Sequence, residues 1–141
     1  MSRLYTSVLV AHVLVAVLGL GSIASVAIVA SAARRVGRGS AEVPTSLGPL
    51  LRYSGFSLGV MLATGILLGL ASGGAVHAAG WFRVSALLLV ATGILHAQAR
   101  RVVRRGVAEN GDLTLRRVER IAYGMCALIA VIAALMEVKP F

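Results

Sequence analysis

An all-α polytopic membrane protein, an antiparallel four-transmembrane-helix bundle with both termini outside, is the fold class that the sequence predicts. Three observations predict it. Of 141 residues, 58% are hydrophobic and 13% charged, against about 45–50% and about 25% in an ordinary soluble domain. The mean hydropathy is +0.90. The charges that remain are gathered into clusters, leaving long uncharged stretches between them. This composition has too little polar side chain to coat a soluble monomer, and it is far too apolar for disorder. Cys126 is the single cysteine, which excludes an internal disulfide framework and a cysteine-based zinc site.

A transmembrane helix needs about 20 mostly apolar residues to cross roughly 30 Å of hydrocarbon. The stretch 4–33 carries no formal charge and holds only His12 as a titratable interior group, so it predicts the first span. Its length exceeds the 7–15 residues of a signal-peptide core, and Arg34, Arg35 and Arg38 follow it as a stop, so this helix is expected to stay in the mature protein. The stretch 53–82 must hold a second span and a turn, because Ser72, Gly73 and Gly74 interrupt it before His77. The third and fourth uncharged stretches, 84–99 and 121–136, are short. They reach full length if Arg83 snorkels to the headgroups and if the last helix includes Val118 and Glu119 at its interfacial end. The expected spans are about 5–32, 53–75, 79–99 and 118–138, in one domain over residues 1–141.

Orientation follows from the arginines. Arg34, Arg35, Arg38 and Arg52 follow the first span, and Arg100, Arg101, Arg104, Arg105, Arg116, Arg117 and Arg120 follow the third. The opposite face carries only Arg3, Arg83 and Lys139. By the positive-inside rule the arginine-rich loops are cytoplasmic, in a bacterial inner (plasma) membrane. Gly37, Gly39 and Pro44 mark the first inner turn, and Asn110, Gly111 and Asp112 the second, with Asp112 or Thr114 as N-cap of the last helix. The net charge of +9 therefore reads as orientation and as contact of Arg100, Arg101, Arg104 and Arg105 with anionic headgroups. It does not read as nucleic-acid binding, because the inner loops lack stacking aromatics apart from Tyr53 at the membrane edge.

Lipid offers no hydrophobic force between helices, so small residues mark the contact faces. Gly55, Gly59, Gly65, Gly69 and Gly73 form such a face on the second helix, with Ser54, Ser57 and Thr64 as hydrogen-bond donors. Ala16, Gly19, Ser22 and Ala27 do so on the first, and Ala127, Ala130 and Ala134 on the fourth. Tight packing within the chain and a homodimer seam both use such faces.

Ionisable groups inside a span are functional candidates because they are costly to bury. His12 lies about 12 Å below the outer end of the first helix, on a face opened by Ala16 and Gly19. Its imidazole suits haem iron or copper; the alternative is a buried histidine bonded to Ser, Thr or a carbonyl of the next helix. His96, one turn inside Arg100, is expected at the interface, and His77 in the outer turn. His12 and His96 sit in opposite halves of the membrane and cannot share one haem. Met61 matches the depth of His12, so a His/Met pair is easier than a bis-histidine pair; His77 joins only if the 72–80 turn dips inward. No span carries a carboxylate or lysine at its middle, and no Gly-x-Ser-x-Gly, HExxH or phosphate-binding Gly-x4-Gly-Lys occurs, so no catalytic residue is assigned. Cys126 reads as an inert buried thiol.

The run His12-x6-Gly19-x-Gly21-Ser22, with Thr64-Gly65 in the second helix and Trp81 opening the third, resembles the small bacterial membrane proteins around copper-resistance protein D, the four-helix haem-biosynthetic protoporphyrinogen oxidase and their relatives. Their first helix resembles His-x6-Trp-x-Gly-Gly. Gly19 stands at the tryptophan position here, and no lysine lies in a span. The resemblance implies a ligand role for His12 alone, toward haem b or copper. Two functions are therefore expected: a redox or metal-handling membrane protein using His12, or an accessory subunit docked on a larger membrane complex.

Overall fold

The computed structural model describes residues 3–36, 42–72, 79–106 and 111–138, and for 42–45 the backbone alone. They form four helices: α1 (Arg3–Arg35), α2 (Glu42–Ala71), α3 (Gly80–Gly106) and α4 (Gly111–Val138). Each is long and apolar enough to cross a membrane. At 1.5 Å per residue the shortest, with 27 residues, extends about 40 Å, so the helices run on beyond the expected spans. The excess lies mainly at the arginine-rich end. Here α2 begins at Glu42, placing Pro44 in its first turn rather than in a loop, a position where the missing N–H has no helical partner to lose.

Charge placement suits these helix ends. Arg34 and Arg35 occupy the last turn of α1, and Arg104 and Arg105 that of α3, where cations meet the negative end of the helix dipole. At the start of α4, Asp112 lies in the first turn and pairs with Arg116 at 3.0 Å, one turn on. Thr114 is inside the helix and buried against Gly106. Neither residue is the N-cap expected from the sequence, because the helix already begins at Gly111.

Span hydroxyls are mostly satisfied within their own helices. Ser22, Ser25, Ser54, Thr64 and Thr92 each donate to a carbonyl three or four residues earlier, which lets Ser and Thr occupy apolar helices without an unpaired donor.

The helices form a four-cornered bundle. α1 packs on α2 and α4, α3 packs on α2 and α4, and the diagonal pairs do not meet among the described residues. Each neighbouring pair is antiparallel. His12 meets Thr64 and Gly19 approaches Ser57, while His96 reaches Leu51. Arg34 pairs with Glu119, and Leu95 lies against Gly124.

Packing is concentrated in the arginine-rich half. Ile23, Val26 and Ala30 of α1, Leu47 and Leu51 of α2, Ala99 and Val103 of α3, and Val118, Ala122 and Met125 of α4 form one buried cluster. Among the described residues the opposite half has no comparable cluster: along α1, Leu4, Val10, Val13, Leu14 and Val17 are all exposed. The expected small-residue faces survive only in part. Gly19, Ser22 and Ala27 are buried as predicted, but Ala127, Ala130 and Ala134 of α4 and Gly59 of α2 face outward. The packed face of α4 is instead Val118, Ala122, Met125, Ile129 and Ile132.

Candidate functional site

A cavity of about 150 Å³ lies between the helices in the sparsely packed half. All four helices line it: His12 from α1, Met61 and Gly65 from α2, Phe82 and Ser85 from α3, and Met136 from α4, among others. The antiparallel register explains the grouping. His12 lies near the start of α1, Met136 near the end of α4, and Ser85 near the start of α3, so all three share one end of the bundle.

His12 is held from one side. The Thr64 hydroxyl donates its hydrogen to the Val60 carbonyl at 2.8 Å, and so its oxygen accepts from His12 Nδ1 at 2.7 Å. That network assigns the neutral tautomer with the hydrogen on Nδ1. Nε2 then carries the lone pair, and among the described residues it has no hydrogen-bond partner. One ring nitrogen is thus bonded to a threonine of the next helix, as one sequence reading of His12 expected, and the other carries a lone pair.

Two further residues shape the cavity beside the ring. Gly65 has no side chain, and a Cβ there would meet His12 Cε1 at 3.6 Å, ordinary contact. Phe82 is braced by Trp81 in an edge-to-face pair with ring centroids 6.0 Å apart, an arrangement that aromatic quadrupoles favour. Ser85 adds an unusual polar group. It is only 4% exposed, it lines the cavity, and its Oγ is a buried polar atom without a partner among the described residues. Such an atom costs about 1–3 kcal/mol if left unpaired.

His96 does not line this cavity; it lies toward the arginine-rich end, where it borders a hollow shared with Arg100, Arg101 and Arg104. It is 6% exposed. Its Nε2 donates to the Leu51 carbonyl at 2.7 Å, with Ser54 Oγ 3.0 Å away. The ring fills the space above Gly55, where a Cβ would lie 2.6 Å from Cε1. His96 is thus a structural pin between α2 and α3, and Gly55 makes room for it.

Of the other candidates, Met61 joins His12 as expected, whereas His77 lies outside the described residues. Arg100, Arg101, Arg104 and Arg105 line two further cavities at the arginine-rich end, together with Arg117. Cys126 is part-buried beside the core. Sequence reasoning missed Met136 and Ser85. Met136 carried a usable signal, since antiparallel packing sets the end of the fourth helix beside the start of the first. Ser85 carried none, because a serine that closes on its own helix and one that does not look alike in sequence.

Among the described residues, no group of three or more His, Cys, Asp or Glu could hold a metal ion. The nitrogen and sulfur donors at this cavity are His12, Met61 and Met136. Compared with known proteins, the chain matches no family model, no curated protein and no solved structure.

Proposed function

We propose that this is an integral membrane protein, with its arginine-rich loops in the cytoplasm, that binds copper(I) in the His12 cavity as part of a metal-handling role. The observation that carries this reading is His12 itself: Thr64 holds its Nδ1, and its unpaired Nε2 belongs to a cavity that Met61 and Met136 also line. Imidazole and thioether are the ligands that soft, singly charged copper(I) favours. A divalent ion would enter an apolar cavity that no carboxylate lines, and the buried charge would be uncompensated. Ser85 Oγ supplies a polar atom for an ion or for a water carried with it. The bound metal would supply a one-electron couple or a cargo for transfer, and the protein's own part is to orient His12 and exclude solvent.

Haem b fits less well. The cavity is about 150 Å³, a space suited to one benzene, and drug-sized ligands need about 300–1,000 Å³. One imidazole faces it, and the nearest second axial donors are thioethers.

Elemental analysis and a copper(I)-chelator competition on the detergent-purified protein test the reading. Wild-type protein should hold one copper per chain and His12→Ala none. A Soret band that depends on His12 would replace copper with haem. A metal-free and colourless wild-type protein, from cells supplied with both, would leave the accessory-subunit reading.

A further inference from the structure

Two cavities flank Arg101 where α3 leaves the apolar part of the bundle. One, of about 200 Å³, is lined by Arg101, Arg105, Arg117 and Thr114. The other, of about 220 Å³, is lined by Arg100, Arg101 and Arg104. Each therefore gathers three guanidinium groups, and Arg101 serves both. Two acids at this end that the structure describes are engaged: Glu119 pairs with Arg34 and Asp112 with Arg116. Arg100, Arg101, Arg104, Arg105 and Arg117 form no ion pair among the described residues. Three guanidiniums around one hollow suit a phosphate, which takes several charge-assisted hydrogen bonds at once. The α3 residues lining the first cavity centre about one helical turn further along than those lining the second, and on a different face of the helix, so the two hollows are separate but adjacent.

The surroundings distinguish a lipid from a free anion. Leu87, Val90 and Ile94 are exposed along α3. At helical spacing this stripe leads toward Arg101, so an apolar track descends from the two hollows over the length of an acyl chain. We propose that this corner of the bundle binds an anionic lipid bearing two phosphodiesters joined by a short bridge, one phosphate in each cavity, with Arg101 shared and the acyl chains along the Leu87–Val90–Ile94 stripe. The site rests on the membrane reading of the four helices and is independent of the copper site.

Native mass spectrometry of the full chain in detergent tests it, with diphosphatidylglycerol and phosphatidylglycerol offered at equal phosphate. Diphosphatidylglycerol should be retained about tenfold better. Arg101→Ala should remove that preference and Arg117→Ala should weaken it about fivefold, the loss expected for one headgroup charge contact. Arg83→Ala, at the other end of α3, should change nothing. Both arginine sites tested are at the solvent-facing end, and helical content by circular dichroism checks that each variant folds. Equal retention of the two lipids, or an unchanged preference in Arg101→Ala, overturns the proposal. Displacement of the lipid by an equal concentration of pyrophosphate overturns the lipid source and makes the site one for free anions.

Discussion

His12 Nδ1 lies 2.7 Å from Thr64 Oγ1 across the α1–α2 seam, and the hydroxyl is itself committed to the Val60 carbonyl. This is how metal-binding histidines are usually oriented, with one ring nitrogen anchored so that the other is presented. Thr64→Val keeps the shape and removes the acceptor. It should lower copper(I) affinity about 10–100-fold with the fold intact. Equal affinity of Thr64→Val and wild type in chelator competition would show that Thr64 does not orient the ring.

Gly65 separates cavity filling from unfolding. Gly65→Ala should be tolerated, since its Cβ meets His12 at ordinary contact distance. Gly65→Leu should occupy the cavity and abolish copper binding. Gly69 is buried one turn on, and Gly69→Leu should cost the folded protein itself, as overpacking of a close helix contact does. Melting curves in detergent, read beside copper content, distinguish the three; a Gly65→Leu protein that still binds copper would place the metal elsewhere.

Gly55 and His96 form a matched pair. Gly55→Ala puts a methyl 2.6 Å from His96 Cε1, and the ring cannot retreat without losing its bond to Leu51. The expected loss is about 1–3 kcal/mol, seen as a lower melting temperature. Adding His96→Ala to Gly55→Ala should cost less than it does in the wild-type background, because removing the ring also relieves the clash. Strict additivity of the two changes would disprove the contact.

Arg34 and Glu119 tie α1 to α4, with Nε 2.8 Å from Oε2. The glutamate side chain is 15% exposed and the arginine 35%, so water weakens the pair only from one side. A double-mutant cycle with Arg34→Ala and Glu119→Ala should return a coupling of about 1 kcal/mol. A coupling near zero would mean that this contact contributes nothing to the bundle.

The topology prediction uses Ser40→Cys and Asn110→Cys on a Cys126→Ser background. With both arginine-rich loops in the cytoplasm, an impermeant thiol reagent should label neither site in intact cells and both after lysis. Labelling in intact cells would invert the protein and move the copper site to the inner leaflet.

The number and order of the helices were determined by the sequence alone, but not their limits, since α2 runs from Glu42 to Ala71 rather than over 53–75. Hydropathy over about 20 residues is a local property, and clustered arginines delimit each stretch without reference to its neighbours. His12 and Met61 could also be brought to one depth, since rise per residue is fixed along a helix. The packing faces could not be read in this way. In apolar helices the side turned to lipid and the side turned to protein share one chemistry, so Ala127, Ala130 and Ala134 looked like a seam and are exposed, while Gly55 and Gly59 looked equivalent and are not. Only the tertiary structure separated them, because the decision rests on how closely two helices approach: tightly enough at the arginine-rich end to bury His96 against Gly55, and loosely enough at the other end to leave His12 Nε2 beside an open cavity.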